Sequence, residues 1–199
     1  MGEIYLVSDL HLSHNQPFLY EPRGFTSVKD MNEAIVENWN SVVKPEDRVI
    51  CLGDIMLNDD EDAIKYIKQL NGEICLIYGN HETLKRQERI HLELPEIIIL
   101  GYAHQFKYKK LLIYLSHYPT LTANWDEKHF TQHVINFHGH CHSRTPWIKP
   151  DNPFMYDVGL DAHNCTPIHI EEAISDIRQR WMEVGQLPVS IKPNDTYPY

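Results

Sequence analysis

Three observations predict an α/β fold. Strand-type runs alternate with helix-type segments over the first half of the chain, a β-α-β-α-β order that gives parallel strands joined by helical crossovers. The second half carries further strand-type runs with few helical segments between them, which predicts a second sheet, mixed in direction, packed on the first. Five runs end on a metal-binding residue type: IYLVS before Asp9, RVICLG before Asp54, EICLIYG before Asn80, LLIYLS before His117 and HVINFHG before His140. Ligands bind outside the carboxyl ends of the strands in an open α/β sheet, so strands that end together gather these donors in one volume.

After the first strand, a loop over about residues 10–29 is expected to rim the site. Asp30 is the expected N-cap of a helix through Val43, with Met31, Ala34, Ile35, Asn38 and Trp39 on one stripe. Pro45 and Asp47 mark a turn into the Arg48–Gly53 strand. A second helix is expected from Glu61 to Leu70, with Ala63, Ile64, Ile67 and Leu70 on one face and Gly72 in the left-handed position that stops it. Ile97–Leu100, Leu111–Leu115, Val134–Phe137 and Phe154–Val158 read as the strands of the second half, with a turn at Lys107–Lys110. A second rim loop covers about residues 118–132, where Trp125 either stacks on a substrate ring or pins the loop to the body. Glu171–Trp181 reads as a covering helix with Ala173, Ile174, Ile177 and Trp181 on its apolar face. Residues 1–199 thus form one domain, with 185–199 a tail containing three prolines, extended or docked along the surface.

Composition excludes several functional classes. A formal net charge of −10 argues against broad attraction to duplex nucleic acid or anionic membrane. The N-terminus lacks a basic n-region, Ile4–Val7 is too short for a signal-peptide core, and no run approaches a membrane span. Leu6 breaks the myristoylation pattern that Gly2 would begin. Cys51, Cys75, Cys141 and Cys165 show no paired spacing, which reads as four reduced cysteines, Cys51 and Cys75 buried in strands, in a cytoplasmic protein.

Carboxylate oxygen and imidazole nitrogen suit hard and borderline divalent metals. Asp9 and His11 offer one of each two residues apart, and His140 and His142 repeat that spacing after Gly139. Asp54 follows Gly53, which permits a sharp turn, and its two oxygens suit a bridge between two cations. Asn80 adds a neutral oxygen that limits negative charge.

The succession Asp9-x-His11, Gly53-Asp54, Gly79-Asn80-His81-Glu82, His117 and Gly139-His140-x-His142 resembles the calcineurin-like metallophosphoesterase superfamily. The resemblance spans residues 9–142 and implies a four-layer α/β/β/α sandwich of two mixed sheets flanked by helices. It implies two divalent metal ions, with manganese, iron, zinc and nickel as candidates. Asp9, His11 and His142 would hold one ion, Asn80, His117 and His140 the other, and Asp54 would bridge. It implies that His81 sits beside the phosphoryl group, outside the metal ligands, to stabilise the pentacovalent state or protonate the leaving oxygen. Glu82 would orient that imidazole, or else simply start a helix. One departure matters: protein phosphatases of the superfamily continue Gly-Asp with an acidic residue and a phosphate-binding arginine, whereas Ile55-Met56-Leu57-Asn58 follows here.

In the first rim loop, His14 and Arg23 are candidate substrate contacts, Arg23 as a guanidinium grip on phosphate or as a solvated loop residue. Asp161 and His163 follow a strand, where a structural role outweighs one in supporting ligands. The reading is a phosphoesterase in which a metal-bridging hydroxide attacks a small or accessible phosphodiester, a nucleotide among the candidates. A phosphomonoesterase or nucleotidase is the alternative within the class, and a non-catalytic protein-binding scaffold the alternative outside it.

Overall fold

Four of the apolar runs become parallel neighbours in one sheet. The computed structural model describes residues 2–124 and 127–184, so Trp125 and the 185–199 tail lie outside the described residues. Strands β1 (Ile4–Val7), β2 (Arg48–Cys51), β3 (Glu73–Ile77) and β4 (Ile98–Gly101) pair in the order β4-β3-β2-β1. Two-sided burial suits their Val, Ile, Leu and Cys content, and Val7, Val49, Cys51 and Leu76 are all fully buried. Ile168–His169, the last strand of the fold, adds an antiparallel edge through Tyr5 and Leu6. The other sheet contains β5 (Ala103–Tyr108), β6 (Leu111–Ser116), β7 (Val134–His138) and β8 (Met155–Asp157) in that order. Its β5–β6 pair is antiparallel and its other pairs are parallel, so both sheets are mixed, as expected.

The run near Ile97–Leu100 belongs to the first sheet rather than the second: β4 pairs parallel with β3. A helix that the sequence pattern did not reveal makes this possible. Besides the short α1 (Pro17–Tyr20), the helices are α2 (Val28–Val42), α3 (Asp60–Ile67), α4 (Leu84–Glu93) and α5 (Ile170–Val184). Parallel neighbours need a crossover, and α4 supplies it between β3 and β4. Within α4 only Ile90 is buried, so its apolar stripe was too thin to read. The expected turn near residues 107–110 is a β5–β6 hairpin, with Lys109 at φ 52°.

Helix starts follow side-chain oxygen more closely than the apolar stripe suggested. Ser27, not Asp30, caps α2: its hydroxyl accepts the Asp30 N–H at 3.1 Å, leaving Asp30 in the first turn where a carboxylate is favourable. Asp59 caps α3 in the same way, accepting from the Asp62 N–H at 3.1 Å. That helix ends at Ile67, and Gly72, at φ 88°, turns the chain beyond it. Buried Asp47 ties the turn before β2, accepting from the N–H groups of Glu3 and Lys44, each at 2.8 Å.

Two cores result. Met31, Ile35 and Trp39 of α2, Ala63, Ile64 and Ile67 of α3, and Ile90 of α4 pack on one face of the first sheet. Trp39 is fully buried and donates its indole N–H to the Asn71 carbonyl at 2.9 Å. The second core joins the other face of the first sheet, through Leu6, Ile50, Leu52 and Ile77, to Ile113, Leu115, Ile135 and Phe137 of the second sheet. Ile170, Ala173, Ile174 and Ile177 of α5 close it. Among the described residues, no helix is long and apolar enough to cross a membrane.

Candidate metal centre

Strands β1, β2, β3, β6 and β7 deliver Asp9, Asp54, Asn80, His117 and His140 from their carboxyl ends into one cluster, and the two turns beyond Asp9 and His140 add His11 and His142. On one side, His11 Nε2 lies 3.9 Å from Asp9 Oδ1 and 3.1 Å from His142 Nε2. On the other, Asn80 Oδ1 lies 2.8 Å from His117 Nε2 and 2.9 Å from His140 Nδ1. Asp54 faces both sides, its Oδ2 being 3.7 Å from His11 Nε2 and 3.4 Å from His117 Nε2. The ligand atoms of Asp9, His11 and His142, and those of Asp9, Asp54 and His117, fall within 4.8 Å of one another, a spacing that could hold an ion.

Hydrogen bonds behind the rings set their protonation. His117 Nδ1 lies 2.8 Å from the Leu52 carbonyl, which can only accept, so Nδ1 carries the proton and the Nε2 lone pair faces the cluster. Likewise His142 Nδ1 donates to Asp161 Oδ2 at 2.8 Å, leaving Nε2 bare. Asp9 Oδ2 accepts the His140 N–H at 2.8 Å, but its buried Oδ1 has no hydrogen-bond partner. An orphaned carboxylate oxygen beside bare ring nitrogens is an arrangement that a cation satisfies.

Burial reinforces this. Desolvation holds Asp9 above the ordinary carboxylate range, against His117 and His142. Desolvation also pushes His11 well below the usual imidazole value, with His142 adding to the effect, so its neutral ligand form is favoured. His142 behaves oppositely: its hydrogen bond to Asp161 raises it against the effect of burial, so the ring is the more basic partner for a cation once its Nε2 proton is displaced.

The backbone is bent to make the cluster. Asp9 (φ 59°), His11 (50°), Asp54 (54°), His140 (70°) and His142 (47°) all occupy the left-handed region, at roughly 1–2 kcal/mol each. Two glycines allow the strand ends to converge. A Cβ on Gly79 would stand 2.3 Å from Asp54 Oδ1, and one on Gly139 would stand 2.3 Å from Asp9 Oδ2.

Three sequence expectations need correction. Arg23 neither grips phosphate nor sits in solvent: its side chain is 1% exposed and makes a two-point contact with Asp161, at 3.0 and 2.8 Å. It also donates to the carbonyls of Asp9 and Leu10, so the guanidinium is consumed in holding the β1 exit. Glu82 neither orients His81 nor starts a helix. It is buried and accepts the N–H groups of Asp54, Ile55 and Gly79 at 2.9, 3.0 and 2.6 Å, while α4 starts beyond Thr83. Asp161, expected to be structural, supports a candidate ligand: burial raises its pKa, but the hydrogen bonds from His142 and Arg23 win and leave it below the ordinary value.

His81 Nε2 lies 3.8 Å from Asp54 Oδ2 with its side chain 36% exposed, so the ring lines the mouth of the cluster. Its N–H donates to Asp54 Oδ1 at 2.9 Å, and Arg86 donates to its carbonyl while pairing with Asp60. His14 is buried between His11 and the exposed Phe18, at ring separations of 5.5 and 5.6 Å. Ile55 and Met56, which follow Asp54, are fully buried core. His163 stacks on Tyr156, and its Nε2 lies 2.8 Å from the Asp157 carbonyl.

The two-sheet fold and this cluster define a class. The calcineurin-like phosphoesterase superfamily domain matches residues 3–151, and the chain belongs to that superfamily, whose members are metal-dependent phosphoesterases. Among its relatives, an uncharacterized protein of Methanocaldococcus jannaschii is 31% identical over 179 residues, covering 86% of this chain and 89% of that one. The gene 66 protein of Mycobacterium phage D29 is 29% identical over 204 residues, covering 90% and 99%. A solved structure of a protein of unknown function from Aquifex aeolicus superposes with a TM-score of 0.64 at 23% identity, covering 88% of this chain and 99% of that one.

Proposed function

We propose that this chain hydrolyses a small or accessible phosphodiester using two divalent ions. Asp9, His11 and His142 hold one, Asn80, His117 and His140 the other, and Asp54 lies between them. The position of Asp54 Oδ2, 3.7 Å from His11 Nε2 and 3.4 Å from His117 Nε2, carries this reading. The orphaned Asp9 Oδ1 and the bare Nε2 atoms of His117 and His142 fit a resident cation. A mixed oxygen and nitrogen set suits manganese, iron, zinc or nickel. When bound, such ions lower the pKa of water and neutralise charge on phosphoryl oxygens.

The protein's own groups do the rest. Glu82 fixes the backbone on both sides of the Asp54 turn, so the shared carboxylate is aimed before substrate arrives. His81, at the mouth, donates a proton to the departing alkoxide. Exposed Tyr118, whose ring is 4.7 Å from that of His140, offers an apolar wall to the organic part of the ester. The acidic surface favours a small diester over duplex nucleic acid, with a monoester next. Ile55-Met56-Leu57-Asn58, with no acidic residue and no arginine after Gly53-Asp54, speaks against phosphoprotein. Four free cysteines support a reducing, cytoplasmic setting.

One observation supports a second role for His81: its ring nitrogen groups with His11 and Asp54 within 4.8 Å, so it could also be a ligand. The His81→Ala variant separates the two. Retained ions with a loss on the order of 10²–10⁴-fold in hydrolysis of a chromogenic diester are expected for a proton donor. A lost ion would make His81 a ligand, and unchanged activity would remove the acid role. Absence of bound metal in wild-type protein after Mn²⁺ supplementation would overturn the centre itself. Absence of turnover of diester and monoester with Mn²⁺, Fe²⁺, Zn²⁺ and Ni²⁺ would leave a scaffold.

A further inference from the structure

We propose that His138, Cys141 and Asp157 form a third cation site, behind the seven-residue centre, that takes one thiophilic divalent ion such as zinc. The turn after β7 divides its side chains. His140 and His142 face the centre, while Cys141 between them groups with His138 at the end of β7 and Asp157 at the end of β8. One ligand atom from each of these three lies within 4.8 Å of the others.

The hydrogen bonding of the two buried members aims them at a cation. His138 is 0% and Asp157 1% exposed. His138 Nδ1 lies 3.0 Å from the Gly139 carbonyl and must donate to it, which leaves Nε2 as a lone pair. That Nε2 is buried with no hydrogen-bond partner. Asp157 Oδ1 accepts the Gly159 N–H at 2.7 Å, while Oδ2 is buried without a partner. Two buried acceptors without partners, on residues that group within 4.8 Å, are costly unless something positive stands near them.

The third member decides what that is. A proton would serve the imidazole and carboxylate alone, and magnesium or calcium would avoid sulfur. Imidazole, carboxylate and thiolate together suit zinc, with a fourth tetrahedral position left for water beside exposed Cys141. Ring N–H to backbone carbonyl, and carboxylate held by a backbone N–H, is how metal ligands are usually oriented. An ion here would join the turn between His140 and His142 to the ends of β7 and β8, on the side away from the main centre.

The test uses the whole chain. Cobalt(II) added to wild-type protein is expected to give a thiolate-to-metal charge-transfer band, and zinc-loaded wild type to contain one more ion than Cys141→Ser. Cys141→Ser should lose the band while keeping the ions of the main centre, so failure of this site is distinguishable from failure of that one. Asp157→Asn preserves the contact with Gly159 and should also lose one ion. If it does not fold, Cys141→Ser decides alone, because its side chain lies at the surface. Equal ion content in wild type and Cys141→Ser, or no thiolate band in wild type, would overturn the proposal.

Discussion

The two sides of Asp54 are built differently. Asp9 and His11 are almost wholly buried, and their side is held by side chains from far along the chain: Asp161 holds His142, and Arg23 holds both Asp161 and the β1 exit. On the other side Asn80 and His140 are exposed, and the supports are backbone groups, the Leu52 carbonyl behind His117 and the N–H groups gathered by Glu82. One side is a network of charged side chains, buried at Asp9 and His11 and open at His142. The other is a set of strand ends, buried at His117 and open at Asn80 and His140, beside which His81 and Tyr118 also stand. Ligand type alone would not predict this contrast, because both sides draw on the same few residue types.

Removing the element common to both sides should have the largest effect. Asp54→Asn is expected to lose both ions together, read by metal content; loss of one ion alone would mean that Asp54 belongs to a single side. Asp161→Asn should lower metal affinity by about 10–100-fold. Competition with a chelator should place that loss on the His142 side, and equal weakening of both ions would erase the distinction between them. Glu82→Gln replaces an oxygen acceptor with an amide donor facing buried N–H groups. A loss of about 1–3 kcal/mol in urea denaturation is expected, and an unchanged midpoint would show that the backbone supports are dispensable. Arg48→Ala, which breaks an exposed pair with Glu73 at the opposite end of the first sheet, should change stability by less than about 1 kcal/mol and leave both ions in place.

The strand endings were legible in the sequence because each couples a short β-branched run to a polar residue, in several cases through glycine, and period and punctuation are local signals. The same locality explains what was missed. Asp161 meets Arg23 across 138 residues, and neither has a sequence neighbour that announces the other. Arg23 looked like a surface arginine because its burial depends on that distant carboxylate. Glu82 stands where a helix start is expected, yet its partners Asp54 and Ile55 lie 28 and 27 residues away. Helix α4 was hidden by its polarity, and the last strand by having two residues. The left-handed backbone at the candidate ligands was not read, since Asp and His enter that region more often than most residues yet still occupy it in only a minority of cases.

That backbone has a consequence for how the protein responds to selection. Glycine would relax the left-handed conformation at Asp9, His11, Asp54, His140 and His142 at little steric expense. A library screened only for survival of heating would therefore enrich glycine at the positions proposed to hold the ions, and its most heat-resistant members would be inert. Thermal tolerance and chemistry compete at the same five Cα atoms, so a more robust version of this enzyme has to be sought elsewhere in the chain.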